Sequence, residues 1–245
     1  MDALALIRRR VEQCEAEGIS LLCCPEAILG ALADNSPDPR RFAVASDRIA
    51  SVLTSLASRT VTTIVGLTEL GDDGALYNSA AVLHRRVLVG VYRKQHPAIR
   101  RSVYAAGTET PVFRVDDLTF GIVICYDSTF PELAARIGRL GATVLFVPSN
   151  NALPRSRNCE GLVEEARQCD TARATESGLW IVRADVAGEA GGLASAGSSA
   201  IVRPDGTLVC CGRRFAEDLL VADLHSIAPR SRKKAIVRPS EYDSC

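Results

Sequence analysis

Residues 118–150 read LTFGIVICYDSTFPELAARIGRLGATVLFVPSN. The run Thr119–Ile124 is short, apolar and rich in β-branched residues, the pattern of a buried strand. Pro131 opens a helix through about Arg139, since proline fits the first helical turn. Val144–Val147 is a second apolar strand and ends at Pro148. Strand, helix and strand thus follow one another, with Cys125 just past the first strand. Ser149 to Asn158, polar and proline-containing, is expected to form a loop over a site.

Upstream, Val112–Val115 pairs with Thr119–Ile124 across Asp116-Asp117. Val61–Leu67 and Tyr77–Leu83 flank Gly71-Asp72-Asp73-Gly74, which is strong turn chemistry, so a hairpin is expected. Val87–Tyr92 extends it and delivers Lys94 to its end. Residues 3–17 repeat Leu4, Ile7, Val11 and Cys14 at helical spacing, Gly18 stops that helix, and Ile19–Cys24 reads as a buried strand ended by Pro25. Residues 40–58 are expected to be one helix with Phe42, Val44, Ile49, Val52, Leu53 and Leu56 on its apolar face.

Downstream, residues 159–177 are expected to be helical, with Leu162, Ala166 and Cys169 on one side. Leu179–Arg183, Ser198–Val202, Leu208–Cys210 and Leu219–Val221 complete the strands, and Gly188–Gly197 is expected to be a flexible turn. Hairpins are too frequent for a purely parallel sheet, which points to layered α/β with mixed sheets.

The 245 residues suit one large domain spanning 1–245. With 47% hydrophobic residues the chain can bury a sizeable core, and 29 basic against 29 acidic side chains leave no global field for nucleic acid or an anionic membrane. Arg8-Arg9-Arg10 and Arg232-Lys233-Lys234 read as solvated faces. No window approaches a membrane span and no signal peptide opens the chain, so cytoplasmic residence is expected. The nine cysteines include no Cys-x-x-Cys pair and His84, His96 and His225 are far apart, so neither a disulfide framework nor a zinc site is supported. Neither a phosphate loop nor a serine-hydrolase elbow occurs, and 5% aromatics is too few for a base-stacking surface. Cys23 and Cys24 should point to opposite faces of their strand.

Glu26 after ISLLCCP, Lys94 after VLVGVYR and Cys125 after LTFGIVI share one context: a reactive side chain just past a buried strand, where ligand-contacting loops gather. Alone, each has an ordinary reading as a cap, a surface charge or a core thiol. Together they are coherent. A thiol attacks a carbonyl well only as thiolate, a lysine can favour that form and stabilise an oxyanion, and a partly buried carboxylate can carry the proton.

The chain resembles the nitrilase superfamily of carbon–nitrogen hydrolases in CCPEAILG at 23–30, YRKQHP at 92–97 and GIVICYDSTFPELAARIGRLGATVLFVPSN at 121–150. Supporting matches are GLTEL, YNSAAVL, RATESGLWIVRAD, GSSAIVRPDG and RPSEY, in the family's order over nearly the whole chain. The resemblance implies Glu26 as general base, Lys94 as the triad lysine, Cys125 as nucleophile and the Tyr126 backbone N–H in the oxyanion hole. It implies a four-layer α-β-β-α sandwich, no metal or organic cofactor, and subunits that dimerise and often stack further.

Two departures stand out. Family members usually place a strand before the first helix, so here either the reading frame starts upstream or the sheet lacks that member and exposes an edge. Many members also carry a further glutamate shortly before the glycine matching Gly107, where this chain has Arg100-Arg101. Two arginines cannot act as that base, but they can bind an acidic substrate. The CYD motif resembles amidase and carbamoylase branches, while Ser128-Thr129 after it weakens the case for α-carboxylate substrates. Asn150, in the loop with Arg155 and Arg157, offers an alternative substrate contact. The expected reaction is hydrolysis of a small linear amide or N-carbamoyl compound; the alternatives are nitrile hydrolysis, acyl transfer, or a non-catalytic binding or assembly subunit.

Overall fold

The computed structural model describes residues 3–224 except Gly191. Helix α1 (Ala3–Glu17) leads to β1 (Leu21–Cys23), and β2 (Val44–Ala45) precedes α2 (Ile49–Leu53). A meander follows of β3 (Thr62–Leu70), β4 (Leu76–His84) and β5 (Val87–Arg93), then the hairpin β6 (Val112–Val115) and β7 (Leu118–Ile122). Helix α3 (Pro131–Arg139), β8 (Val144–Ser149) and β9 (Leu153–Pro154) lead to α4 (Glu160–Ser177) and β10 (Trp180–Asp185). The described chain closes with β11 (Gly188–Ala190), β12 (Leu193–Ser195), β13 (Ala200–Val202) and β14 (Leu208–Cys211).

These strands form two large mixed sheets and a small antiparallel one of order β11-β12-β9. In the first, β1 and β2 both run parallel to β3, and β4 and β5 continue antiparallel. The second has the order β14-β13-β10-β8-β7-β6, with a parallel centre and antiparallel flanks. Alternation along each strand explains the packing, because a strand buried on both faces must be apolar at every position. Ile64 and Val82 of the first sheet meet Phe113, Phe120, Ile122, Val144 and Phe146 of the second. Their neighbours Val65 and Leu83 turn outward onto Ile7, Val11 and Cys14 of α1 and Leu53 of α2. Leu145 and Val147 turn the other way, onto Leu133 and Ile137 of α3 and Ala174 of α4. Cys24 belongs to the helix-side core and Cys23 packs on the inter-sheet core, as strand alternation requires.

Several expectations are corrected. Residues 40–58 are not one helix. Val44–Ala45 pairs with β3, Ser46–Arg48 and Thr54–Leu56 are 3-10 turns, and Phe42 is 56% exposed. Pairing of Val44 with Glu69, and the Ser46 hydroxyl on the Glu69 carboxylate at 2.6 Å, hold that stretch extended. Gly188–Gly197 is the hairpin β11–β12, which also pairs with β9 inside the expected loop. Leu219–Val221 forms no strand, although Leu219 and Leu220 pack on the two cores. Residues 225–245, including His225, Arg232-Lys233-Lys234 and RPSEY, lie outside the described residues. Among the described residues β1 pairs with β3 alone. Beside it a cavity of about 1480 Å³, lined by Leu21, Cys23, Phe146, Trp180 and Leu220, opens between the sheets.

Candidate active site

Pro25 breaks β1 and the chain turns over β3, which puts Glu26 against Gly66. A Cβ at Gly66 would fall 2.3 Å from the Pro25 carbonyl oxygen and 2.9 Å from Glu26 Cα, so only glycine admits this approach. The Glu26 N–H donates to the Ser149 carbonyl of β8 at 3.3 Å, a link to the other sheet. Lys94 follows β5. Its N–H donates to the Asn78 carbonyl on the intervening strand β4 at 2.8 Å, and its carbonyl accepts the Gly107 N–H at 2.8 Å.

The Lys94 ammonium reaches across to Glu26, with Nζ to Oε1 at 2.6 Å, and the Asn78 amide donates to the same oxygen at 2.7 Å. The two side chains are 5% and 2% exposed. Burial pulls the Lys94 ammonium down, but the Glu26 carboxylate, joined by Cys125 and Asp127, pushes it above the ordinary lysine range. Lys94 therefore stays charged in spite of its own burial.

Past β7 the chain bends into a 3-10 turn, Cys125–Thr129, and Cys125 itself takes φ +48°. That left-handed conformation is uncommon outside glycine and needs support from its surroundings. Asp127 supplies it. Fully buried, it accepts hydrogen bonds from the Ile124 N–H at 3.1 Å, the His96 N–H at 2.8 Å and the Tyr92 hydroxyl at 2.8 Å. The turn that carries the thiol is thus tied to the end of the strand that carries the lysine. Burial, reinforced by the Glu26 carboxylate, pushes the Cys125 thiol up to about 12, against the opposing pull of Lys94, Arg183 and the Asn150 backbone N–H. At rest the site holds a neutral thiol beside a carboxylate–ammonium pair.

Glu26, Lys94 and Cys125, separated in sequence, converge. Asn150 meets the sulfur through its backbone N–H, while its side-chain oxygen accepts the Ala152 N–H at 3.3 Å. The Tyr126 ring stands in an edge-to-face contact with Phe130. Arg100 and Arg101 lie exposed on the turn after Lys94, with no hydrogen bond to the three. Arg155 pairs with Glu189 of β11, so its charge is already partnered.

Sequence reasoning passed over Asn78, Asn151, Asp170, Arg183 and Asp185, and gave Asp127 no role. Arg183 is 4% exposed; its guanidinium grips both Asp170 oxygens at 2.6 and 2.8 Å and donates to Ser149 Oγ at 2.6 Å and Ser128 Oγ at 3.0 Å. It braces both segments that flank the sulfur. A signal existed: a charged residue inside the apolar run WIVRAD must find a buried partner. Among the described residues no group of three or more His, Cys, Asp or Glu side chains is placed to hold a metal ion, and no helix is long and apolar enough to cross a membrane.

The family profile described as Carbon-nitrogen hydrolase matches residues 2–230. The chain belongs to the carbon–nitrogen hydrolase family. It is 32% identical over 184 residues to a nitrilase of Pyrococcus abyssi, covering 74% of this chain and 66% of that one. To an (R)-stereoselective amidase of a Pseudomonas species it is 29% identical over 186 residues, covering 74% and 65%. The chain therefore spans about two-thirds of the length of these relatives. A carbon–nitrogen hydrolase structure from Helicobacter pylori superposes with a TM-score of 0.78 at 21% identity, over 88% of this chain and 81% of that one. This is the nitrilase fold, α/β with mixed sheets.

Proposed function

We propose that this carbon–nitrogen hydrolase is an amidase that cleaves a small linear amide, or an N-carbamoyl compound, through a thioester on Cys125. The observation that carries the reading is the buried Lys94–Glu26 pair, electrostatically coupled to the Cys125 sulfur at the ends of three strands.

Cys125 Sγ attacks the carbonyl carbon while Glu26 takes the thiol proton in the same step, so that no free thiolate has to form first. The carbonyl π-electrons move to oxygen, where the Lys94 ammonium and the Tyr126 backbone N–H stabilise the oxyanion. The tetrahedral adduct collapses, the carbon–nitrogen bond breaks, and Glu26 returns the proton to the departing nitrogen. Water then attacks the thioester with Glu26 as base, and thiol and carboxylic acid are released. Asn150 contacts the substrate, with Arg100 and Arg101 at the mouth as contacts for an acidic one. The likeness to a relative named as an (R)-stereoselective amidase supports the amide reading. One domain over 1–245, assembled as a homodimer or larger homo-oligomer, completes the proposal, and sizing of the purified chain tests that assembly.

The test is intact-protein mass spectrometry after brief exposure to amides, N-carbamoyl compounds and nitriles, with released ammonia or amine read in the same tubes. An acyl adduct on Cys125, absent in Cys125→Ala, is the expected result. Turnover of nitriles alone would replace the amidase reading with a nitrilase one. Neither adduct nor product across the panel would make the chain a binding or assembly subunit.

A further inference from the structure

The side-chain amide of Asn151 lies beside the Cys125 thiol with its orientation already decided. Nδ2 donates to Asp185 Oδ2 at 3.2 Å and to Ser198 Oγ at 3.0 Å, which uses both amide hydrogens. The Asn151 backbone N–H donates to Asp185 Oδ1 at 3.0 Å. Asp185 Oδ2 also accepts the Ser198 N–H at 2.8 Å and its hydroxyl at 2.7 Å. Asp185 and Ser198 are buried, so no water competes for these bonds. Turning the amide over would set its oxygen against a carboxylate. Oδ1 is therefore the atom that faces the sulfur, and it accepts the Cys125 S–H at 3.4 Å.

We propose that Asn151, locked by Asp185 and Ser198, is a positioning residue that holds Cys125 as the thiol, its hydrogen turned to the amide oxygen, until substrate arrives. A carbonyl oxygen accepts from S–H but offers nothing to a thiolate, and the negative end of its dipole opposes one. The other groups acting on the sulfur are Glu26, which works in the same sense, and Lys94, Arg183 and the Asn150 N–H, which work against it. Removing Oδ1 tips this balance toward the thiolate. The locked amide keeps a reactive sulfur from being spent on stray electrophiles and favours sulfur bonded to an acyl group over free thiolate. The catalytic significance rests on Cys125 being the nucleophile proposed above; the hold on its proton does not.

The test is the pH dependence of iodoacetamide alkylation of Cys125 in the full chain, read on its peptide by mass spectrometry with no substrate present. Asn151→Leu is expected to displace the profile downward by about 0.5–1 pH unit, so that alkylation near neutral pH runs roughly three- to tenfold faster. Ser198→Ala, which leaves net charge unchanged and frees one amide hydrogen, should give a smaller shift in the same direction. Where Asn151→Leu does not fold by circular dichroism, Ser198→Ala decides alone. Unshifted or upward-shifted profiles overturn the proposal. A chain that hydrolyses no amide but shows the shifts keeps this inference and removes the amidase reading. A chain that hydrolyses amides with unshifted variants does the reverse.

Discussion

Lys94→Met probes the buried ion pair at nearly constant side-chain volume. At the 2.6 Å separation of Nζ and Oε1, the gross attraction is about 6 kcal/mol at an effective dielectric of about 20. Desolvation of the two ions offsets much of that, so the pair's net worth is small. Breaking it is another matter, because Glu26 would keep only the Asn78 amide at 2.7 Å and stay almost wholly buried. A loss of about 3–5 kcal/mol is expected, which lowers the melting midpoint of a chain this size by roughly 6–20 °C. Glu26→Gln removes the opposite charge, and the double variant removes both. Denaturant titration of all four proteins closes a cycle in which the double variant recovers at least about 2 kcal/mol over the sum of the singles. Additive losses would refute the pairing argument. Acyl-enzyme formation should be absent in all three variants, and normal turnover in Lys94→Met would take the lysine out of the chemistry.

Gly66→Ala forces the Pro25–Ala27 backbone away from β3 and should cut kcat by at least about tenfold, roughly the effect of misplacing a reacting group; full activity would show that Glu26 tolerates displacement. Asp127→Asn turns an N–H₂ toward backbone donors and should cost about 1–3 kcal/mol while slowing acylation; unchanged stability by denaturant titration would contradict its role as the hub of the turn. For pH, a thiol raised from 9.0 to about 12 keeps its proton in the folded state after the unfolded chain has lost it, so its contribution to stability declines as pH rises above 9.0. Alkylation of resting Cys125 near neutral pH should run roughly a thousandfold below that of the denatured chain. A profile centred near the ordinary thiol value of 9.0 would show that burial does not raise the resting thiol.

Much of this fold is legible in the sequence because the cores repeat at the right periods. Ile7, Val11 and Cys14 mark the buried stripe of α1, and Pro131 opens α3 where expected. The run Val144–Val147 alternates between two cores, so it is apolar throughout. What failed was decided by distant partners. Helix α4 buries Ala166 as expected, but with Val163, Asp170 and Arg173 while Leu162 and Cys169 are only half-buried, since Asp170 is drawn in by Arg183. The stretch at 40–58 has a helical pattern, but Ser46 and Val44 bind the end of β3. The meeting of Glu26, Lys94 and Cys125 was legible because each follows a strand and sits in family text. Asn151 and Asp185 were not, because their meaning depends on which face of the sulfur they reach.

The two halves of the site belong to different sheets. Glu26 and Lys94 follow strands of the first sheet, whereas Cys125, Asn151 and Asp185 follow or end strands of the second. On the proposed mechanism neither sheet alone holds a complete set of reacting groups, and the apolar seam between Ile64, Val82, Phe120 and Phe146 sets their alignment. Turnover is therefore a ruler for the alignment of that seam. A partly denatured state with every strand formed and the seam loosened would keep its far-ultraviolet signal and lose the reaction first.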